Sequence, residues 1–429
     1  MGKRPHVVII GAGFGGVAAA KKLAKKNVDV TIIDRTNYHL FQPLLYQVST
    51  SVLSTDDISY PIRAMFRDYK NVELFMAKAQ EIDGKRKVVI TNHGEVAYDY
   101  LIVAAGATNN FFGMENVEKY AYGMKSIPEA LHIRNHVLHM FERANKQIDN
   151  EEVRRKMLTF ICVGGGPTGV EEAGAIAELV AIQRKEYPNL NFDEVSIKLI
   201  EGTDKVLPMM PPKLIKHTID VLESKGVEVM LNTQVADCDA DGLYLKDGRY
   251  IPSRTVIWAA GVKANKVAST IGTECDRAGR VVVEPTLQVP GYPEIFAIGD
   301  NAHFMTESGR PLATVAPVAM QEAWCAVENI LSLINGSSSL KKFEYVDHGA
   351  MATIGRCQAV VNWGCLKIGG FVAWVIWMFL HLLRLEGAHA DITVGTKWFW
   401  NFVSGTRLGR IITNIKLEDE DENMDAAKA

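Results

Sequence analysis

Two glycine-rich loops, and the carboxylates that follow them, are the residues of this chain whose types and spacing could do chemistry. The first loop is Gly11-Ala12-Gly13-Phe14-Gly15-Gly16 and the second is Gly164-Gly165-Gly166-Pro167-Thr168-Gly169. Between a strand and a helix, the first glycine of such a loop permits a tight turn, the second lets the backbone approach a pyrophosphate, and the last lets helix and strand pack closely. The helix N-terminus then faces the anion. Asp34, with Arg35 beside it, follows the first loop by about 20 residues, the spacing at which a carboxylate accepts hydrogen bonds from ribose hydroxyls. Glu201 follows the second loop by about 30; a long helix to about Lys185 and the loop Glu186 to Glu194, which carries Pro188, would take up the excess. Two such units imply two dinucleotides. Glu201 accepts from a free 2′-hydroxyl and repels a 2′-phosphate, which favours NADH over NADPH, although the neighbouring Lys205 would act in the opposite sense.

The elements that must position these residues are legible around them. The β-branched run His6 to Ile10 precedes the first loop, an alanine-rich helix from Val17 to Lys26 follows it, and the strand Val28 to Ile33 ends in Asp34. Leu158 to Val163, a helix from Val170 and Val195 to Ile200 repeat the pattern before Glu201. Two similar strand-and-glycine segments run from Tyr100 to Ala105-Gly106 and from Thr255 to Ala260-Gly261; a third, from Ile295, ends in Gly299-Asp300. The expected class is α/β with two Rossmann-like dinucleotide-binding domains. A length of 429 residues agrees with at least two cores, and 48% apolar and 23% charged residues describe an ordered globular chain. A net charge of -3 offers no general attraction to nucleic acid, and none is expected as a partner. Six scattered cysteines form no CxxC pair, so neither a metal site nor a disulfide framework is expected. Met1 to Pro5 runs directly into the first strand, without the pattern of a secretory signal.

This ordered set of loops resembles the two-dinucleotide-binding-domain flavoproteins. The resemblance implies non-covalent FAD on the first loop, with Gly299-Asp300 at its ribityl and pyrophosphate region, and NADH on the second. It implies a discontinuous FAD domain, 1–112 and 281–339, with an NADH domain, 113–280, inserted in it. The segment Tyr38 to Gln47 holds no cysteine, which removes the usual place for a redox disulfide. That segment, Ala316 to Ala323, Gly349 to Arg356 and the aromatic C-terminal stretch resemble the type II, non-proton-pumping NADH:quinone oxidoreductases over nearly the whole chain to about Ile415. The family's Ala-Gln-x-x-x-Gln motif, which meets the quinone, matches here with Pro317 in place of the first glutamine and with Gln321 as the second. Gln47, Pro317, Val318, Met320 and Gln321 are accordingly the expected quinone residues. Glu171, directly after the second loop, matches the family's glutamate near nicotinamide and flavin; the alternative is an acid favoured in a first helical turn by the dipole. Glu172 points about 100 degrees away and is expected to be an ordinary helix residue.

The apolar run Ile368 to Leu383 falls short of the roughly 20 residues of a spanning helix. With the aromatic Thr396 to Val403 and the flanking Lys397, Arg407, Arg410 and Lys416, it has the composition of a chain lying at the headgroup interface. A core or dimer helix is the alternative. A quinone substrate favours a C-terminal membrane-associating region, 340–416, on the cytoplasmic face of the cell membrane, with lipid as a partner, a homodimer as a candidate assembly, and an acidic tail, 417–429, in solvent. Other readings are a sulfide:quinone oxidoreductase, for which only Cys162 and Cys357 could form the cysteine pair, and an FAD- and NADH-binding sensor without turnover.

Overall fold

In the computed structural model, which describes residues 4–147, 149–306, 309–407 and 409–413, the chain divides into two compact units. The first comprises Met1–Leu40, Ser59–Thr108 and Val262–Asp347, and the second Phe41–Ile58, Asn109–Gly261 and His348–Ala429. The divisions expected at 112 and 281 thus stand at 108 and 262, and the segment from Phe41 to Ile58 groups with the second unit. Lys416 and the acidic tail lie outside the described residues.

In the first unit, strands with buried apolar residues build a six-stranded sheet: Gln288–Val289, Tyr292–Ala297, Tyr100–Val103, His6–Ile10, Asp29–Asp34 and Val72–Met76, in that order. All neighbours are parallel except the first pair. The helices Phe14–Leu23 and Ala316–Ile334 pack against one another on one face, where Val17, Leu23, Ile32, Phe296 and Ile330 are buried in one apolar cluster. The first helix starts at Phe14, earlier than Val17, because Gly13 already has the extended conformation of a cap.

The second unit repeats the design with five parallel strands, Tyr122–Gly123, Thr255–Trp258, Thr159–Val163, Ser196–Ile200 and Val227–Met230. Its loop helix runs over Pro167–Gln183, starting at a proline that suits a first helical position because its missing N–H would have no partner there. Ala350–Gly355, Gln358–Trp363 and Leu366–Gly370 form an antiparallel sheet. The apolar run expected from Ile368 therefore begins as a strand, and its helix is only Phe371–Leu382, followed by Ala388–Ser404. Gly174 lets the loop helix lie directly on the strand Ala350–Gly355, since a Cβ there would stand 2.3 Å from the Ile354 carbonyl oxygen. That close approach places Thr353 beside Glu171.

Candidate active site

Strand register explains how two different spacings serve one purpose. Ile10 pairs with Ile33 and Val163 pairs with Ile200, so each acid, Asp34 or Glu201, falls beside the first glycine of its loop. Gly11 N donates to Ile33 O and Gly164 N to Ile200 O, both at 2.8 Å. Asp34 then accepts from Ala12 N at 2.7 Å and Thr36 N at 2.8 Å, while Glu201 accepts from Gly165 N at 2.6 Å and Thr203 N at 2.8 Å. The extra residues before Glu201 are absorbed by a helix of 17 residues where the first unit has 10.

The loops suit pyrophosphate. Gly11 has φ +99° and Gly164 φ +116°, conformations that favour glycine, and a Cβ on either would strike the backbone of the neighbouring strand end, Ala104 or Ala259. A Cβ on Gly13 or Gly166 would meet nothing, so both face open space. Neither loop helix has a side-chain cap, which leaves the N–H groups of its first turn for an anion. Phe14 and Thr168 stand at these turns, Arg35 is exposed, and Ala105, Gly106, Ala260 and Gly261 lie half-buried at the ends of the neighbouring strands. Asn301, absent from the sequence expectations, is fully buried after Gly299-Asp300, and its Nδ2 donates to Gly106 O at 3.1 Å.

In the first unit the helix carrying Pro317, Val318, Met320 and Gln321 packs on the same loops. Ala319 is the contact: a Cβ on Gly15 would lie 3.2 Å from its carbonyl oxygen, and one on Gly299 would lie 2.9 Å from its Cβ. Val318 is buried and Met320 packs on the core cluster. Both amide groups of Gln321 already have backbone partners, since Nε2 donates to Val346 O at 2.9 Å and Oε1 accepts from Val346 N at 3.0 Å. Glu322, next to it, accepts from Gly299 N, and burial pushes its carboxyl up to about 8 against that bond.

The second unit holds a chain of hydrogen bonds that ends at Glu171. Trp398 Nε1 donates to Gln47 Oε1 at 2.7 Å, and Gln47 Nε2 donates to the Tyr46 hydroxyl at 2.9 Å. That hydroxyl meets Thr353 Oγ1 at 2.9 Å, and Thr353 N donates to Glu171 Oε1 at 3.2 Å. Burial pushes the Glu171 carboxyl up to about 8, against the Thr353 bond and with help from the charge of Glu172. Burial likewise raises the Tyr46 phenol, which stays neutral. A cleft of about 480 Å³, including space open to solvent, is lined by Tyr46, Gln47 and Thr353 together with Trp374, Trp377 and Trp398. Tyr46, Gln47 and Thr353 all lie in segments whose motifs stood out in the sequence.

Two details differ from the sequence expectations. Glu172, expected to be an ordinary helix residue, is fully buried with Ser49 Oγ 2.8 Å from its Oε2. The basic residues expected to face lipid are paired within the protein: Lys397 with Asp57 at 2.6 Å, Arg407 with Glu178 at 2.8 Å, and Arg410 with Glu186 at 2.7 Å. Acid partners distant in sequence claimed those charges.

Residues 5–323 match the pyridine nucleotide-disulphide oxidoreductase family. The chain is 40% identical over 424 residues to the type II NADH:quinone oxidoreductase Ndh of Mycobacterium tuberculosis, covering 95% of this chain and 90% of that one. It is 31% identical to the type II NADH:quinone oxidoreductase of Staphylococcus haemolyticus, over 83% of this chain and 89% of that one. Among solved structures, NDH2 from Plasmodium falciparum in complex with NADH superposes with a TM-score of 0.87 at 22% identity, covering 96% of this chain and all of that one. The sulfide:quinone oxidoreductase of Aquifex aeolicus is more distant, with a TM-score of 0.71 at 18% identity over 94% of this chain and 92% of that one. With both glycine loops, their paired acids and these matches along its length, the chain belongs to the type II NADH:quinone oxidoreductases of the pyridine nucleotide-disulphide oxidoreductase family.

Proposed function

We propose that the protein oxidises NADH and reduces a membrane quinone, with the quinone entering the cleft of the second unit and Glu171, bonded to the cleft residue Thr353, supplying a proton. Bound FAD supplies the two-electron relay between nicotinamide and quinone. Gly11, Gly13, Gly15, Gly16, Asp34, Gly106, Gly299 and Asp300 would hold it, and Gly164, Gly166, Gly169, Glu201 and Gly261 would hold NADH. The observation that carries the quinone assignment is the position of the cleft. Its apolar side is the inner face of two helices whose outer faces are also apolar, with Phe379 60% and Phe399 67% exposed. A helix apolar on all sides calls for a cover on each side. An apolar substrate dissolved in lipid would pass from one face to the other.

Lipid is the cover proposed for the outer face, at the cytoplasmic side of the cell membrane. Among the described residues no helix is long and apolar enough to cross a membrane, so attachment would be in-plane. Part of the same face could instead serve a second copy of the chain, and sedimentation in detergent distinguishes a homodimer from a monomer. Truncation before Phe371 is a poor test, because it also removes Lys397, Trp398 and Arg407 from their buried partners. The substitutions Phe379→Glu and Phe399→Glu touch only the exposed face. Each should weaken vesicle binding about tenfold or more, from roughly 1.5 kcal/mol of lost apolar burial and an added charge. Retention of FAD with undiminished vesicle binding would sink the lipid assignment.

Cofactor choice rests on Glu201. NADH should be strongly preferred, and Glu201→Gln, which loses the negative charge but keeps one acceptor for Gly165 N or Thr203 N, should narrow the preference by about tenfold, or 1.4 kcal/mol. Equal use of NADH and NADPH by the parent protein would refute the assignment. The sulfide reading gains no support from the cysteines: Cys162 lies in the core of a strand, where burial raises its thiol far above the ordinary range.

A further inference from the structure

Glu171 and Glu172 are consecutive buried carboxyls on one helix, and the activity so far described uses only the first. Glu172 is 0% exposed. Among the described residues its buried Oε1 has no hydrogen-bond partner, and its Oε2 meets Ser49 Oγ at 2.8 Å. Ser49 Oγ lies equally 2.8 Å from the Tyr46 carbonyl oxygen, which can only accept. A hydroxyl has one hydrogen. Both contacts become full hydrogen bonds, rather than halves of one shared bond, when Ser49 donates to Tyr46 O and Glu172 donates to Ser49 Oγ, an arrangement in which Glu172 carries a proton. An ionised carboxylate with one oxygen unpaired in a closed interior would be far more costly than the neutral acid.

We propose that Glu172 is a second proton-holding residue of the reaction site, a neutral carboxylic acid that keeps a proton available to its neighbour Glu171. The proposal rests on the reading that quinone is reduced beside Glu171. The balance NADH + H⁺ + quinone → NAD⁺ + hydroquinone requires one proton besides the hydride. The Glu171–Glu172 pair gives that proton to a quinone oxygen and recovers one from solvent. The two side chains point in different directions but share one buried core, where the charge of Glu172 raises the proton affinity of Glu171, so the pair titrates as a unit and its last proton is lost at a higher pH than a single carboxyl there would lose its own. Other charges bear on the pair as well. Arg407, itself buried and bonded to Glu178, favours ionisation of Glu172, and burial of Glu172 outweighs it. Tyr46 and Cys162 are buried, neutral neighbours on the segments packed against the helix, the strand Ala350–Gly355 contributes no titratable group, and Lys198 and Glu228 on the adjoining strands pair with each other.

The test compares pH profiles of turnover for the FAD-loaded protein, Glu172→Gln and Glu171→Gln, with a soluble quinone. Glu172→Gln keeps the shape of the neutral acid and should move the alkaline limb down by about one pH unit. An unmoved limb in Glu172→Gln, with a changed limb in Glu171→Gln, overturns the proposal and leaves the reading of the site intact. An unmoved limb in both overturns that reading, and the proposal with it. A second measurement needs no turnover: the infrared carboxylic-acid C=O absorption of the FAD-loaded protein at neutral pH should lose intensity in Glu172→Gln and shift in Ser49→Ala. If Glu172→Gln does not fold, the Ser49→Ala spectrum decides, and a carboxylic-acid band identical to the parent's there overturns the proposal.

Discussion

Replacing Glu171 with glutamine should lower quinone-dependent turnover by about 100-fold or more, the usual contribution of a positioned proton donor, while NADH still bleaches the flavin near the parent rate. The direction follows from the burial of this carboxyl. With its proton affinity raised to about 8, Glu171 is protonated at neutral pH and has a proton to give when negative charge develops on a quinone oxygen. Parent turnover should therefore fall as pH rises past about 8, and Glu171→Gln should lose that limb because the amide does not titrate. Stopped-flow separation of flavin reduction from reoxidation is the check. Equal slowing of both halves would mark a nicotinamide or structural role, and an unchanged alkaline limb would remove Glu171 from the proton step.

The same burial has a consequence for stability. Glu171, Glu172 and Glu322 all have proton affinities raised to about 8, mainly by burial. Each folded carboxyl holds its proton at pH values where the unfolded chain has lost it. Their stabilising protonation is complete below the ordinary carboxylate range, near pH 4.3, and is lost as pH rises through about 8.

What was legible in the sequence is what local pattern controls. Strand, glycine turn, helix and acid are contiguous or nearly so, and the hydrogen bonds of Asp34 and Glu201 to Ala12 and Gly165 are the structural content of that pattern. The longer spacing before Glu201 could be rationalised because inserting residues between paired strands does not alter their register. The residues whose surroundings were not legible in the sequence are those whose environment is set by distant partners. Helical geometry correctly turns Glu172 away from Glu171, but it does not reveal that Ser49 and a closed core lie in the new direction. Lys397 stands among tryptophans and has the composition of an interfacial lysine, yet Asp57, some 340 residues earlier, takes its charge. Gln321 matched a motif by type and position, and only the structure places the Val346 backbone against its amide.

Arg407 carries the largest expected stability effect, and it bears on the same question of where the C-terminal charges point. Its side chain is 2% exposed and donates to Thr50 O at 2.8 Å, to Ala175 O at 2.9 Å and to Glu178 Oε2 at 2.8 Å. Burial alone would raise the Glu178 carboxyl, but the charges of Arg407 and Lys225 and the bond from Arg356 N hold it below its ordinary range. Arg407→Met fills the space without the charge, leaving two buried carbonyls short of a donor and Glu178 short of its closest guanidinium. The expected loss is about 3–5 kcal/mol for unfolding of the second unit, read by near-ultraviolet circular dichroism or protease susceptibility. Arg407→Lys should lie between, since an ammonium keeps the charge but not the fork that reaches three acceptors. Adding Glu178→Gln to Arg407→Met should recover a large part of the loss, because most of it is the unpaired carboxylate rather than the missing contact. Arg384→Gln, at an exposed site, is the control and should change stability by no more than about 0.5 kcal/mol. If Arg407→Met weakened only vesicle binding and left stability at the level of that control, the guanidinium would face lipid after all, and the buried network joining residue 407 to residues 50, 175 and 178 would have no energetic standing.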